Sequence, residues 1–178
     1  ISYIINDCVS EVWGFRKART LIWLGFAMNF FFVMFGALAD VIPGAPWWDN
    51  DEGFHAVFGL APRVAAASFT AFVVGSFINA YVMSRMKILS HGKNFSARAI
   101  VSTIFGETAD SLIFFPLAFL GVLPTGQLMP LIISQIMLKT VYEIIVLPIT
   151  IQVVKRIKRI EGEDVYDEGV SYNMFSFK

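Results

Sequence analysis

Four long apolar windows restrict the fold of this chain more than any other feature. They cover residues 21–38, 64–83, 100–123 and 131–154. A helix that crosses the hydrocarbon core of a bilayer needs about 20 mostly apolar residues, and these windows have that length and composition. A membrane β-strand would instead show about ten residues of alternating polarity. The sequence therefore predicts an all-α, polytopic membrane helix bundle with four complete transmembrane helices.

The residues before the first window predict a fifth, partial span. Residues 1–12 are mostly apolar and lack the charged start of a secretory signal peptide. We expect this stretch to be the end of a helix, so that at least one membrane element precedes it in the protein. Residues 1–178 are predicted to form a single integral membrane domain, with a polar cytoplasmic tail over residues 161–178.

The composition argues against several other classes of protein. Charged residues make up 16% of the chain, against about a quarter in soluble domains. The 14 basic and 14 acidic residues cancel, so no net field favours nucleic acid. One cysteine and two histidines are too few for a zinc site. We expect neither a metal nor a cofactor.

Enzyme signatures are also missing, because the sequence has no metalloprotease, serine hydrolase or P-loop motif. We therefore expect a non-enzymatic membrane protein whose partners are the lipid bilayer and a small-molecule substrate. The sequence leaves a separate motor subunit open without indicating one, and it does not specify an oligomeric state.

Basic residues define the predicted orientation, because lysine and arginine collect in cytoplasmic connections. They cluster before the first complete span, between the second and third, and after the fourth: Arg16, Lys17, Arg19, Arg85, Lys87, Lys93, Arg98, Lys155, Arg156, Lys158 and Arg159. The loop over residues 39–62 carries acidic residues and no lysine or arginine. We predict a cytoplasmic C-terminus, with Trp47 and Trp48 of the opposite loop anchored at the outer interface.

Polar side chains within the apolar windows indicate a site inside the membrane. They are Asn6, Asp7 and Glu11 in the partial span, Asn29 in the first complete span, Asn79 in the second, Glu107 and Asp110 in the third, and Gln135, Lys139 and Glu143 in the fourth. A charge at the centre of a membrane helix costs about 2.5–3.5 kcal/mol on insertion scales, so such groups face protein or water. Helical spacing puts the polar residues of each of the last two spans on one face. We expect these two faces to meet.

A row of small residues marks the second complete span. Ala67, Ala71 and Gly75 repeat every four residues, which predicts a face where a neighbouring helix packs closely. Asn79 continues the row, and either a packing hydrogen bond or contact with a ligand would explain it.

Two explanations for the buried charges remain open from the residues alone. Lys139 and Glu143, one turn apart, could form an ion pair that only orients helices. However, Lys139 is the only cation set against Asp7, Glu107, Asp110 and Glu143 in these windows. Protonated carboxyl groups, a donor-rich or cationic ligand, or coupled protons would balance the excess. We favour a polar cavity that serves transport over purely structural pairs.

Five segments make the chain resemble the queuosine precursor transporter family, small bacterial inner-membrane proteins also described as a vitamin uptake group. The segments are YIINDCVSEVWGFRKAR from Tyr3, PRVAAASFTAFVVGSFINAYV from Pro62, STIFGETADSLIFFPLAFLG from Ser102, KTVYEIIVLPIT from Lys139 and VVKRIKRIEGEDVYD from Val153. The resemblance implies six transmembrane helices, similar to the substrate-binding subunits of energy-coupling-factor transporters. Compared with that pattern, we expect the first helix and part of the second to be absent from this sequence.

The resemblance also implies uptake of 7-deazapurines such as preQ0 and preQ1 for tRNA queuosine synthesis. A deazaguanine presents ring N–H and amino donors beside a carbonyl acceptor, which carboxylates and amide or ammonium groups complement. The candidate acceptors are Glu107, Asp110 and Glu143, the candidate donors are Gln135, Asn79 and Lys139, and Asn6 and Asp7 are further candidates. Phe114, Phe115 and Tyr142 could stack on the ring or pack in the core. The alternatives are transport of another vitamin or nucleobase, and a structural membrane protein with buried ion pairs.

Overall fold

Helices make up the regular structure of this protein. The computed structural model describes residues 2–58, 62–119, 121 and 123–175. Five α-helices run through these ranges: α1 (Ser2–Val41), α2 (Asp51–Phe58), α3 (Pro62–Leu89), α4 (Phe95–Phe119) and α5 (Thr125–Glu161). The described ranges contain no β-strand, which confirms the all-α prediction.

Four of these helices are long and apolar enough to cross a membrane, judged by length and composition. They are α1, α3, α4 and α5, and each contains most or all of one predicted window. The window over residues 100–123 was predicted too long, because α4 ends at Phe119 and Gly121 lies in a turn. The chain is therefore a multi-pass membrane protein.

Helix α1 is broken at Gly14, where the backbone has φ 78° and ψ 178°. Residues with a Cβ atom rarely adopt this backbone conformation, whereas glycine does so readily. The break separates a first arm, residues 2–13, from a second arm, residues 15–41. The first arm corresponds to the predicted partial span, apart from Ile1, which lies outside the described residues. The second arm contains the first predicted complete span.

A close helix contact joins Gly75 of α3 to Gly106 of α4. A Cβ atom added to Gly75 would lie 2.9 Å from the Gly106 carbonyl oxygen, and one added to Gly106 would lie 3.0 Å from the Gly75 carbonyl oxygen. Ala67 and Ala71, which precede Gly75 in the row of small residues, are both 1% exposed. The prediction of a close-packed face on this span is confirmed, and the contact holds α3 and α4 together beside the polar residues.

The C-terminal segment, residues 162–175, packs against the bundle rather than extending from it as the predicted polar tail would. Helix α5 ends where Gly162 takes a left-handed conformation and its N–H bonds to the Lys158 carbonyl. The segment then binds both arms of α1: the Val165 N–H donates to the Val12 carbonyl at 3.1 Å, and the Trp23 indole donates to the Met174 carbonyl at 2.9 Å. Its location on the cytoplasmic side stays a prediction.

Large apolar side chains are exposed on the outside of the bundle. Phe32 and Phe35 on the second arm of α1 are 65% and 62% exposed, and Ile145 and Ile149 on α5 are 69% and 62% exposed. Extended apolar surface of this kind is typical of a face that contacts lipid or another protein. Glu143 of α5, at 4% exposure, points into the bundle instead, whereas Asn29 on the second arm of α1 is exposed on the outside.

Candidate functional site

Polar side chains from four helical segments meet inside the bundle, and we call this group the central polar cluster. Its members are Tyr3, Asn6 and Asp7 of the first arm of α1, Asn79 of α3, Thr103, Glu107 and Asp110 of α4, and Lys139 and Glu143 of α5. The sequence analysis predicted all of them except Tyr3 and Thr103. Within the cluster, the contacts divide into three neighbouring sets.

The first set joins α4 to α5 through Lys139. Its ammonium group donates to Glu107 Oε2 at 2.6 Å and lies 3.6 Å from Asp110 Oδ2. The Glu107 side chain is 3% exposed, the Asp110 side chain 16% and the Lys139 side chain 38%. The predicted polar faces of these two spans therefore do meet, and one cation lies between two carboxylates.

The ion pair along α5 that would give Lys139 a purely local role is not formed. Among the described residues, the ion pairs of Lys139 are with Glu107 and Asp110, and none involves Glu143. The i, i+4 spacing of Lys139 and Glu143 permitted such a pair. Two carboxylates on the neighbouring helix compete for the same ammonium group and bind it instead.

The second set surrounds the carboxyl groups of Asp7 and Glu143, which lie next to each other. Asp7 is 0% exposed and Glu143 is 4% exposed. The Ser102 hydroxyl donates to Asp7 Oδ1 at 3.4 Å, and Thr103 lies beside Glu143. Within the part of the chain that the structure describes, neither carboxyl group has a lysine or arginine partner.

The third set links the first arm of α1 to α3 through two asparagines. The Asn6 amide donates to Asn79 Oδ1 at 2.7 Å and to the Ser76 carbonyl oxygen at 3.2 Å. Both asparagines are buried, at 4% and 0% exposure. This contact accounts for part of the packing role that was left open for Asn79, while its Nδ2 atom makes no hydrogen bond within the described ranges.

Tyr3 is the member of the cluster that the sequence analysis missed most clearly. Its ring lies against the contact between Gly75 and Gly106, and its hydroxyl is buried without a hydrogen-bond partner. The spacing of Tyr3 in the sequence could have predicted its position in the cluster. It lies three residues before Asn6 and four before Asp7 and therefore shares their helix face. An interfacial tyrosine at the end of a span would have the same sequence signature.

Several buried polar atoms in the cluster make no hydrogen bond with another residue that the structure describes. They are Tyr3 OH, Asn6 Oδ1, Asp7 Oδ2, Asn79 Nδ2 and Thr103 Oγ1. Native structures pair almost all buried polar groups, because an unpaired one costs about 1–3 kcal/mol. Atoms of this kind can bind ordered water or a polar ligand.

Not every predicted site residue joins these contacts. Gln135 is half-buried one turn before Lys139, and it forms no side-chain hydrogen bond with another described residue. Phe115 is 7% exposed and packs with Leu128 and Ile132 in an apolar cluster beside Phe114. Tyr142 is 45% exposed. Core packing therefore accounts for the two phenylalanines.

A separate network of ion pairs lies at one end of the bundle, which we call the basic end. Arg98 binds Glu11 through two contacts of 2.5 and 3.0 Å, and Lys158 also binds Glu11, at 2.7 Å. Lys87 and Lys158 both bind Asp164, at 2.5 and 2.8 Å. Residues of the second and third predicted basic regions therefore meet at one end of the structure.

Burial corrects the expected setting of two of these cations. Lys87 and Arg98 were assigned to an inner loop, but they lie on α3 and α4 and are 2% and 1% exposed. Glu11 in the partial span could have predicted this burial, since a buried carboxylate requires a cation close to it. Outside the helices, burial of Asp164 acts to raise the pKa of its carboxyl group, but Lys158 and Lys87 outweigh burial and lower this pKa.

Two cavities lie near the ends of the cluster's helices. One of about 740 Å³ is lined by the acidic loop and the neighbouring parts of α1 and α2, including Asp40, Trp47, Trp48 and His55. The other, of about 200 Å³, lies between the two arms of α1 and α3 and is lined by residues that include Asn6 and Ser76. The smaller cavity therefore reaches the edge of the central polar cluster.

Comparison with known proteins identifies relatives of this chain. A "Probable queuosine precursor transporter" of Bacillus subtilis (strain 168) is 30% identical over 149 residues, which are 82% of this chain and 64% of the relative. A "Queuosine precursor transporter" of Escherichia coli (strain K12) is 30% identical over 122 residues, which are 66% of this chain and 50% of the relative. The chain thus spans about half to two thirds of the length of these relatives.

No solved structure gave a significant match to this chain. The match to a protein family covers more of the chain than the individual relatives do. The model of a transporter family described as "Putative vitamin uptake transporter" matches residues 1–153. Because that match covers most of the chain, including every residue of the central polar cluster, this chain belongs to the vitamin uptake transporter family.

Proposed function

We propose that the protein is an uptake transporter for queuosine precursors, the 7-deazapurine bases preQ0 and preQ1, and that the central polar cluster binds the base. The names of its relatives support the substrate class. The observation that carries the site is the ammonium group of Lys139 between the carboxylates of Glu107 and Asp110, next to buried polar atoms without partners.

The base complements this arrangement through one edge. Its ring N–H and amino group donate to Glu107 and Asp110, and its carbonyl oxygen accepts from the Lys139 ammonium group. Binding then exchanges partners: the carboxylates give up Lys139 and take the donors of the base, while Lys139 turns to the carbonyl oxygen. Every charged group keeps a partner throughout, which matters because an uncompensated buried charge is costly.

Asn79 and Gln135 supply further donors at the edges of the site. Asn79 Nδ2 is buried and unpaired, and Gln135 lies one turn before Lys139 on α5. The aminomethyl group of preQ1 is a cation, so it adds a charge that offsets the excess of carboxylates over cations in the cluster. The amide donors serve both bases, whereas the excess negative charge favours preQ1.

Transport by alternating access requires helices to move around such a site. The close contact of Gly75 with Gly106 favours α3 and α4 moving as one unit. The first arm of α1 and α5 meet that unit through polar side chains in the cluster, and α5 also packs on it through apolar contacts such as those of Phe115 with Leu128 and Ile132. The polar contacts can exchange for contacts with a substrate, whereas the contact between the glycines is fixed by shape.

We also propose that the protein lies in the bacterial inner membrane with its basic end and C-terminus in the cytoplasm. The argument is the collection of Lys87, Arg98 and Lys158 at one end of the bundle, against an acidic loop that joins α1 to α3. This asymmetry follows the rule that basic residues remain on the cytoplasmic side.

The family description favours a second candidate, which keeps transport and changes the substrate to another vitamin or nucleobase. The cluster would suit any flat, polar ring with adjacent donors and an acceptor. Binding of preQ0, preQ1, guanine, adenine and a panel of vitamins to the purified full-length protein separates the two. Preference for a vitamin with no affinity for either deazapurine would exclude the first candidate.

Uptake in cells that cannot make queuosine precursors tests the proposal directly. Full-length protein should restore queuosine in tRNA when preQ0 or preQ1 is supplied. The variants Glu107→Gln and Asp110→Asn should reach the membrane and fail to restore it, while Asp49→Asn, the same change at an exposed carboxylate, should behave as wild type. Normal uptake by correctly folded Glu107 and Asp110 variants would show that their charges only orient helices.

A further inference from the structure

The carboxyl groups of Asp7 and Glu143 lie outside the ion pairs that the described residues form. Lys139 binds Glu107 and Asp110, and Arg98 and Lys158 bind Glu11. No ion pair between described residues includes Asp7 or Glu143, although they are 0% and 4% exposed. The two carboxyl groups instead lie beside each other.

The groups around this pair come from all four helical segments. Asp7 is flanked on its own arm by Tyr3, Cys8 and Glu11. The other neighbours of the pair are Asn79 of α3, Ser102, Thr103 and Glu107 of α4, and Lys139 of α5, one turn before Glu143. Lys139, the cation in this list, binds Glu107 and Asp110. Thr103 and Asn79 are 2% and 0% exposed, and each has a polar atom without a partner. These atoms face the carboxyl pair.

Two adjacent carboxylates in a site closed to water strongly disfavour double ionisation. Proteins resolve such a pair by a proton that both groups share, so that one carboxyl O–H donates to the other carboxylate. Asp7 Oδ2, which makes no hydrogen bond to another described residue, is an oxygen free to hold or receive that proton. The hydroxyl of Thr103 can donate to the remaining negative charge.

We infer that Asp7 and Glu143 form a proton-binding site, and that their shared proton moves inward with the substrate. This inference rests on the proposed function and adds the driving force to it. The proton comes from the outer medium, forms an O–H bond to one carboxylate of the pair, and leaves that oxygen on the cytoplasmic side. No other covalent bond forms or breaks.

The position of Lys139 gives a physical reason for coupling. In the structure Lys139 binds Glu107 and Asp110, and Glu107 lies near Glu143. When a bound base draws Lys139 to its carbonyl oxygen, the charge of Glu107 is less compensated, and because like charges disfavour ionisation the pair holds its proton more tightly. When the base leaves, Lys139 returns to Glu107 and the proton is held less tightly. Substrate and proton therefore favour each other's binding, as symport requires.

Infrared spectroscopy of the full-length protein in lipid tests the proton site without substrate. A protonated carboxyl group has a C=O stretching band that a carboxylate lacks. Wild-type protein at neutral pH should show this band, Asp7→Asn and Glu143→Gln should each lose it, and Asp40→Asn, at a carboxylate paired with His55, should keep it. Absence of the band in wild type, or its persistence in both pair variants, would overturn the inference.

Proteoliposomes test the coupling, with preQ1 as the probe. For one proton per base, an inward gradient of one pH unit should raise the accumulation of preQ1 by up to about tenfold over exchange without a gradient. In Asp7→Asn and Glu143→Gln this ratio should fall towards one, whatever the exchange rate of each variant.

Equal accumulation by wild-type protein with and without the gradient would overturn coupled transport. A wild-type protein that exchanged preQ1 without coupling would leave the proposed function intact. One that exchanged neither deazapurine would remove the proposed function and the coupling together, while the infrared band would still decide whether the pair holds a proton.

Discussion

Arg98 of α4 holds the carboxylate of Glu11, on the first arm of α1, through two contacts of 2.5 and 3.0 Å. Both side chains are almost fully buried, at 1% and 2% exposure. A buried pair is costly to break, because the remaining charge has no water to solvate it. This contact therefore fixes the first arm to α4 at the basic end, about one helical turn from Asp7 of the central polar cluster.

The first prediction concerns this pair. Glu11→Gln should destabilise the folded protein by about 3–5 kcal/mol, since it leaves the Arg98 guanidinium without its carboxylate. Thermal unfolding in detergent measures the change, and Glu52→Gln, at an exposed glutamate, should unfold like wild type. An unchanged unfolding temperature for Glu11→Gln would contradict this role, because it would show that the amide of the new side chain or water satisfies Arg98.

The second prediction concerns the contact between α3 and α4. Gly75→Ala should destabilise the protein by about 1–3 kcal/mol, because the new Cβ would lie 2.9 Å from the Gly106 carbonyl oxygen. Gly126→Ala is the matched control, since a Cβ there meets no heavy atom within 4 Å. If the two variants unfold at the same temperature, the helices are not held at this distance in the membrane.

The third prediction concerns the C-terminal segment, which Asp167 attaches to the bundle. Its carboxylate accepts from the Phe15 N–H at 2.8 Å and from the Ser84 hydroxyl at 2.5 Å. Asp167→Ala leaves the Phe15 N–H without this acceptor at a cost of about 1–3 kcal/mol, so the segment should detach more often and protease should cleave it faster. Glu168→Ala, at the exposed neighbour, should be cleaved at the wild-type rate, and equal rates for both variants would contradict the assigned role.

The fourth prediction is a pH dependence at the basic end. Because Lys158 and Lys87 lower the pKa of Asp164 below its unfolded value despite partial burial, its ionised form stabilises the folded state. That contribution is complete above the unfolded pKa of about 4 and is lost as the pH falls through the lower folded pKa. The effect should be small and weakened by salt, since the Asp164 side chain is 45% exposed.

Unfolding of wild type and Asp164→Asn as a function of pH measures this contribution. Wild type should be slightly more stable than the variant at neutral pH, and the difference should shrink as the pH falls below about 4. A difference that grows towards acidic pH would reverse the sign and contradict the account.

Much of this structure could be predicted from the sequence, because membrane insertion leaves a strong local signal. Apolar length identified the four spans, and the cost of charge in a bilayer singled out Glu107, Asp110 and Lys139 before any contact was known. Helical spacing then placed each polar set on one face. The meeting of those faces follows from the same cost, since each charged group needs a partner.

The remaining features depend on contacts between distant residues, which local patterns do not encode. Arg98 matched the signature of a cytoplasmic loop residue, and its burial depends on Glu11, which lies 87 positions away. The polarity of the C-terminal segment suggested a free tail, but Asp167 finds its partners on α1 and α3. Lys139 binds Glu107 rather than Glu143 because two carboxylates on α4 lie within reach of its ammonium group.

Calorimetric binding of preQ1 to the purified full-length protein tests the central claim most directly. A charge-assisted hydrogen bond contributes about 1.5–3 kcal/mol, so Glu107→Gln should weaken the affinity by about ten- to a hundredfold. Asp49→Asn should leave the affinity unchanged. Equal affinities of wild type and folded Glu107→Gln, or no binding of preQ1 or preQ0 to wild type, would contradict the assignment of the central polar cluster as the site for the base.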